Sequence, residues 1–222
     1  MTHTLRILAL ILLFATVAGA ASKTHVIAFG KPVAVKLYID ASAERTLDIT
    51  IRPLYVDSRL KEYTTGKPHD VTDREFVVRR AFRINDSLPE DAPATPRWLW
   101  QRGGWLLVDR DSGRVSQVRL PDFEPFYSEV SWYRDYAAYC GITGNGERVI
   151  AVVAQIGNRK ALYRKELGQA SATEAPDANC AAPRWDRKPP QVTFLPKNGD
   201  KFSVNVSGRF VDPVPDSAAE EQ

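Results

Sequence analysis

Acidic side chains lie among aromatic ones near the middle of the chain, and this combination is found in enzymes that cleave sugars. The carboxylates are Asp122, Glu124, Glu129 and Asp135, and the aromatic residues near them are Phe123, Phe126, Tyr127, Trp132 and Tyr133. Many glycosidases place a general acid and a nucleophile on two carboxylates that flank the bound sugar. A carbohydrate-active hydrolase that uses the acids of residues 121–135 is therefore one hypothesis. The alternative is that these loop acids form salt bridges with Arg119 and Arg134.

A second candidate site consists of aromatic residues that could bind a ligand without catalysing a reaction. Trp98 and Trp100 are two residues apart on a predicted strand, so both should lie on one face of it. We predict binding residues for a protein or polysaccharide ligand at Trp98, Trp100, Trp132, Tyr133, Arg134 and Asp135. The alternative is that the tryptophans, which also include Trp105 and Trp185, fill the core.

Arg134 and Asp135 are adjacent charged residues in a region that is otherwise predicted as strand. Neighbouring strand residues point to opposite faces, so these two should not contact one partner together. One interpretation is a structural ion pair that holds the strand to the loop at Pro121–Tyr127. The other is a polar contact in a binding groove.

Motifs for other chemistries do not occur in the sequence. We find no Gly-x-Ser-x-Gly, no HExxH, no glycine-rich phosphate loop and no clustered carboxylates at calcium-binding spacing. Once His3 is removed with the N-terminal segment, His25 and His69 are the remaining histidines. Catalysis by His69 with Asp70 or Asp73 is the alternative to an exposed loop histidine, which we favour. We therefore predict no catalytic residue, no metal and no cofactor, and expect a non-enzymatic protein, with the hydrolase as the alternative.

The N-terminus has the pattern of a secretory signal peptide. Arg6 precedes the apolar run Ile7–Val17, and small residues follow at Ala18-Gly19-Ala20. We predict a signal peptide over residues 1–20 and a secreted or periplasmic mature protein with no membrane span. The alternative is an uncleaved membrane anchor, although the run is shorter than the roughly 20 residues that a span needs.

Cys140 and Cys180 are the two cysteines, and an oxidising compartment would let them form one disulfide. The alternative is two separate buried thiols. Arg6 is the one basic residue of the predicted signal peptide, so its removal changes 30 basic against 27 acidic residues to 29 against 27. This balance argues against a nucleic-acid partner.

The fold is predicted as all-β, because apolar residues alternate with period two and no long segment has the helical period. Val149–Ile156 is apolar almost throughout, which predicts a central strand buried on both faces. We expect an antiparallel sandwich or barrel built from hairpins. The alternative is a β-propeller-like arrangement, because the hairpins Trp105–Leu120 and Val149–Leu167 resemble the outer half of a propeller blade.

A single β domain is predicted over residues 21–211, with a candidate internal boundary at the proline-rich loop 86–97 and a disordered tail at 212–222. Within this domain, Phe76, Val78, Phe82 and Ile84 should share one strand face, which would place Arg80 among apolar residues. The leading hypothesis is an exported binding or scaffolding module of the cell envelope or the extracellular space.

Overall fold

The computed structural model describes residues 24–38, 46–85, 98–125, 128–143, 145–170, 180–197, 199–208 and 210–213. These residues form strands and turns and contain no helix, which confirms the all-β prediction. The strands are β1 (Ile27–Phe29), β2 (Val33–Tyr38), β3 (Thr46–Val56), β4 (Arg59–Asp70), β5 (Glu75–Asn85), β6 (Trp98–Asp109), β7 (Val115–Val118), β8 (Val130–Tyr133), β9 (Tyr136–Ile142), β10 (Arg148–Gln155), β11 (Tyr163–Gln169), β12 (Cys180–Arg187), β13 (Pro190–Pro196), β14 (Phe202–Ser207) and β15 (Phe210–Pro213).

The first seven strands form one sheet that closes on itself. Its order is β1-β3-β2-β6-β5-β4, β7 also pairs with β6, and β3 pairs with β4 as well as with β2. Strands β2 to β6 therefore make a closed ring, in which the pair Leu37–Trp100 between β2 and β6 is parallel and the other pairs are antiparallel. We call this closed sheet the barrel. Closure of this kind leaves few free strand edges in this part of the molecule.

Two four-stranded antiparallel sheets follow, in the orders β11-β10-β9-β8 and β12-β13-β14-β15. The first is the middle sheet, because its two faces belong to different core clusters. One face packs on the C-terminal sheet through Ala138, Cys140, Ala151, Val153, Val192, Phe194, Val204 and Val206. The other face packs towards the barrel, where Trp132 and Val130 contact the cluster formed by Val77, Trp105 and Val118. The middle sheet thus packs on the barrel with one face and forms a sandwich with the C-terminal sheet through the other.

The prediction of a central strand at Val149–Ile156 is confirmed by β10. Residues 150–154 of β10 have no solvent exposure, and both edges of the strand are paired, to β9 and to β11. The hairpins that suggested propeller blades, Trp105–Leu120 and Val149–Leu167, instead lie in the seven-stranded sheet and the middle sheet. The sandwich-or-barrel prediction describes the fold, and no propeller is formed by the described strands.

Both faces of β5 are covered by apolar residues, and the strand carries two adjacent arginines. Arg79 shares the face of Val77 and is 4% exposed. Arg80 lies on the opposite face beside Phe82, as the alternation predicts, with its guanidinium 5.5 Å from the centre of that ring. It is half-buried and pairs with Glu62 at 3.0 Å. The register between β5 and β6 shifts between Arg79 and Ala81, opposite the segment that contains Gly103 and Gly104.

Cys140 and Cys180 form the predicted disulfide, with their Cα atoms 6.0 Å apart. The bond joins β9 of the middle sheet to the first residue of β12. Such a bond is compatible with an oxidising compartment. The described residues include no helix long and apolar enough to span a bilayer. The predicted signal peptide, the loop 86–97 and residues 214–222 of the predicted tail lie outside the described residues.

Candidate functional site

A cleft of about 690 Å³ opens where the barrel, the middle sheet and the C-terminal sheet meet. We call it the aromatic–basic groove. Its lining residues come from the end of β4, from β8 and the turn after it, and from the end of β12 with the turn that follows. They are His69, Asp70, Ser131, Trp132, Tyr133, Arg134, Trp185, Arg187 and Lys188. Three of the predicted binding residues, Trp132, Tyr133 and Arg134, are therefore brought together here.

The middle sheet contributes a hairpin turn. Tyr133 pairs with Tyr136, so Arg134 and Asp135 are the two turn residues between β8 and β9. The sequence analysis had treated them as part of a strand region. Arg134 has φ 53°, a left-handed conformation that two-residue hairpin turns need at their first position. Its guanidinium lies 5.5 Å from the ring centre of Tyr133.

Asp135, the other turn residue, does not line the groove. Its carboxylate accepts a hydrogen bond from Gln155 at 2.7 Å, and its carbonyl accepts one from the backbone N–H of Ile156 at 2.9 Å. These two bonds tie the hairpin turn to the end of β10. Asp135 therefore holds the turn in place. Arg134 is the turn residue that lines the groove.

The C-terminal sheet contributes Trp185, whose ring stacks on Tyr133 with a centroid distance of 5.4 Å and an interplanar angle of 29°. The indole Nε1–H donates to the carbonyl oxygen of Ser131 at 3.0 Å. This bond occupies a backbone acceptor of β8, the edge strand of the middle sheet beside which β12 lies. Trp185 thus fixes one wall of the groove and closes that part of the strand edge.

The barrel contributes His69, whose Nε2–H donates to the carbonyl oxygen of Arg134 at 2.9 Å. Its ring also stacks on Trp132, with centroids 6.0 Å apart and an angle of 22° between the planes. Trp132 in turn packs edge-on against Trp105 at 5.2 Å, so it belongs partly to the core and partly to the groove. Trp132 therefore fits both the core interpretation and the binding interpretation of the tryptophans.

The charge of the groove is positive. Arg134, Arg187 and Lys188 are exposed, and none of them has a carboxylate partner within 4.0 Å among the described residues. The one acidic lining residue, Asp70, is bound by Arg110 at 2.6 Å. Unpaired cations beside low-dielectric ring faces favour anions, although the whole chain carries only a formal net charge of +3.

Trp98 and Trp100 lie elsewhere. They share one face of β6, as predicted, but this end of the strand is seven residues from Trp105, or roughly 23 Å along an extended chain. Trp98 is 50% exposed and lies under the guanidinium of Arg83 at 4.7 Å. Trp100 packs edge-on against Tyr63 at 5.2 Å. The predicted binding residues are thus divided between two places.

Three of the four carboxylates of the hydrolase hypothesis bind identified side chains. Asp122 pairs with Arg164 at 3.3 Å, Glu129 with Arg79 and Arg102, and Asp135 with Gln155. Glu124 also has an interaction and contributes to the field at Arg79. These contacts are those of structural acids, and they argue against a shared cleft in which two carboxylates flank one sugar.

Arg79 holds the chain segment that leads into β8. Its guanidinium donates to the carbonyl oxygens of Gly103 (3.3 Å), Pro125 and Ser128 (3.1 Å) and to the carboxylate of Glu129 at 3.2 Å. Burial lowers the pKa of Arg79 from 12.5 to about 10, partly offset by Glu129, so the side chain stays charged at neutral pH. Arg79 therefore fixes the start of the strand whose far end carries Tyr133 and Arg134.

The turn conformation of Arg134 leads to a prediction about stability. A non-glycine residue in the left-handed region costs about 1 kcal/mol, which glycine avoids. We expect Arg134→Gly to leave the free energy of unfolding unchanged or to raise it by up to about 1 kcal/mol, even though the cation–π contact is lost. Arg134→Val should lower it by at least about 1 kcal/mol. Urea unfolding of both variants tests this, and a loss above about 2 kcal/mol in the glycine variant would contradict it.

Comparison with protein-family models and with curated proteins found no match. The described residues contain no group of three or more His, Cys, Asp or Glu side chains placed to hold a metal ion. The groove residues outside the predicted set are His69, Asp70, Ser131, Trp185, Arg187 and Lys188. A usable signal was the sequence Trp185-Asp186-Arg187-Lys188, which places a ring beside two cations, although its distance along the chain from Tyr133 concealed the contact.

Proposed function

We propose that this protein is an exported binding module and that the aromatic–basic groove is its ligand site. The observation that carries the proposal is the convergence of Tyr133, Trp185 and His69 from three different sheets around exposed cations, which have no carboxylate partner in the part of the chain that the structure describes. A concave site with ring faces and a few directed polar groups is the usual form of a binding pocket. Export is supported by the leader-like N-terminus and by the disulfide.

The groove is also held firmly by the rest of the fold. Two rim carbonyls are engaged by side chains of other sheets, that of Ser131 by Trp185 and that of Arg134 by His69. The turn itself is tied to β10 through Asp135 and Gln155. A ligand would therefore meet a surface that is already ordered, which lowers the entropy lost on binding.

The groove is tested by comparing two aromatic substitutions on an immobilised panel of oligosaccharides and peptides. Tyr133→Leu removes a ring from the groove but keeps an apolar side chain that packs on Trp185. Trp98→Leu removes an exposed ring at the other candidate place and serves as the matched control. We expect Tyr133→Leu to weaken binding of panel ligands roughly 10-fold, the value of a stacked ring, and Trp98→Leu to have no effect.

Thermal unfolding of both variants separates loss of binding from loss of fold. The proposal is contradicted if Trp98→Leu abolishes the signal while Tyr133→Leu, still folded, binds as the unaltered chain does. It is also contradicted if the unaltered chain binds no ligand of the panel.

A further inference from the structure

We propose that the ligand of the aromatic–basic groove is an acidic polysaccharide, whose sugar rings stack on the aromatic side chains and whose acidic groups pair with Arg134, Arg187 and Lys188. This inference rests on the proposed function and names the ligand class of the same site. The recognising chemistry is an anionic oxygen group on a pyranose chain, and a carboxylate and a sulfate both provide it.

The ring faces supply the first part of the argument. Tyr133 and Trp185 are half-buried and stack on each other, so one face of each ring is covered, and the uncovered parts of both rings line the cleft. Sugars present flat faces of C–H groups that pack on such rings, whereas small inorganic anions gain nothing from them. An aromatic wall in a positive groove thus favours a ligand that is both extended and partly apolar.

The cations supply the second part. Arg134 lies at the turn between β8 and β9, while Arg187 and Lys188 are at the end of β12 and just beyond it, so the cations border the stacked rings from two sheets. An arginine side chain binds a carboxylate or sulfate with two parallel hydrogen bonds. A chain of acidic sugars carries such groups at regular intervals and could contact both positions at once.

The backbone supplies the third part, because it argues against a peptide. Peptides that bind open sheets usually add a strand to a free edge through main-chain hydrogen bonds. At the edge strand β8, the carbonyl of Ser131 is taken by Trp185, and β12 lies alongside. The groups left for recognition are ring faces and the ends of cationic side chains, which suit an acidic sugar chain better than a peptide backbone.

The test is isothermal titration of the disulfide-bonded chain with polygalacturonate, dextran sulfate, dextran and polyglutamate. Dextran and dextran sulfate share one backbone, so their comparison isolates the acidic group, and polygalacturonate shows whether carboxylate serves as well as sulfate. We expect one or both acidic polymers to bind, and dextran to bind at least roughly 20-fold more weakly, because three exposed ion pairs of modest strength are lost.

Two triple variants of equal charge locate the site. Arg134→Gln/Arg187→Gln/Lys188→Gln should weaken binding of the acidic polysaccharide roughly 20-fold. The control, Lys31→Gln/Arg59→Gln/Lys61→Gln, removes three other exposed cations, of which Arg59 and Lys61 lie at the start of β4 while His69 is at its end. It should change binding less than about 2-fold, since distant exposed charges are screened by salt.

Several outcomes would overturn the inference. Polyglutamate that binds as tightly as polygalacturonate would identify an acidic peptide as the ligand, and equal binding of dextran would remove the role of charge. Equal losses in both triple variants would show unspecific attraction. In each case the Tyr133→Leu and Trp98→Leu comparison still decides separately whether the groove is a binding site. Absence of binding to both acidic polysaccharides would also refute the ligand class.

Discussion

Substitution of Arg79 by methionine is expected to lower the free energy of unfolding by roughly 3 to 5 kcal/mol, the usual effect of removing one partner from a buried charged network. The substitution leaves the carbonyls of Gly103, Pro125 and Ser128 without their donor. Buried acceptors that lose a partner keep their full desolvation penalty. Methionine retains much of the side-chain volume, so the effect reports the lost hydrogen bonds and charge and not a cavity.

The neighbouring arginine provides the control. Arg80 is adjacent in sequence, but its ion pair with Glu62 is partly exposed, so Arg80→Met should lower the free energy of unfolding by less than about 1 kcal/mol. Urea unfolding of the two variants and the unaltered chain measures both effects. If the two arginines have equal effects, or if Arg80 has the larger one, the assignment of Arg79 as the buried anchor is wrong.

Removal of the disulfide is expected to have an effect of similar size. Cys140 and Cys180 are separated by 40 residues, and closing a loop of that length in the unfolded chain contributes about 4 kcal/mol in the chain-entropy model. We expect the double variant Cys140→Ala/Cys180→Ala to lose about this much free energy of unfolding, measured by urea denaturation without reductant.

Reductant gives the matching control for this prediction. Dithiothreitol should lower the stability of the unaltered chain towards that of the double variant and should leave the variant unchanged. Equal urea midpoints for the two proteins without reductant would contradict the prediction. The bond joins β9 to the start of β12, so its loss should also loosen the wall of the groove that Trp185 provides.

Local sequence patterns were sufficient for the parts of the fold that depend on local chemistry. The continuous apolar run at Val149–Ile156 predicted β10 because a strand buried on both faces needs no polar side. The disulfide followed from cysteine number and the expected compartment.

Two hairpin turns lack the glycine that marks the strongest two-residue turn signals, Asn-Gly and Asp-Gly. Asp57 and Ser58 both have positive φ and join β3 to β4 in a hairpin. Arg134 also has positive φ and begins the turn between β8 and β9. A turn without glycine is harder to predict from sequence, because its residues are equally common elsewhere in loops.

The register shift beside Gly103 and the groove were beyond local patterns for a different reason. The shift depends on how β5 and β6 pair, and the alternation within one strand does not reveal the register of its partner. The groove combines His69, Tyr133 and Trp185, which lie on three sheets. Their proximity depends on how the sheets pack, and no spacing within one segment encodes it.

The central claim, that ligand binds at the aromatic–basic groove, is tested most directly by the indole N–H resonances of the five tryptophans. These signals are assigned with single Trp→Phe variants and followed by ¹H–¹⁵N spectroscopy during separate titrations with polygalacturonate and with dextran sulfate. The account predicts that the signals of Trp185 and Trp132 shift with one common dissociation constant while those of Trp98 and Trp100 stay in place. Shifts confined to Trp98 and Trp100, or no shift at saturating polymer, would contradict it.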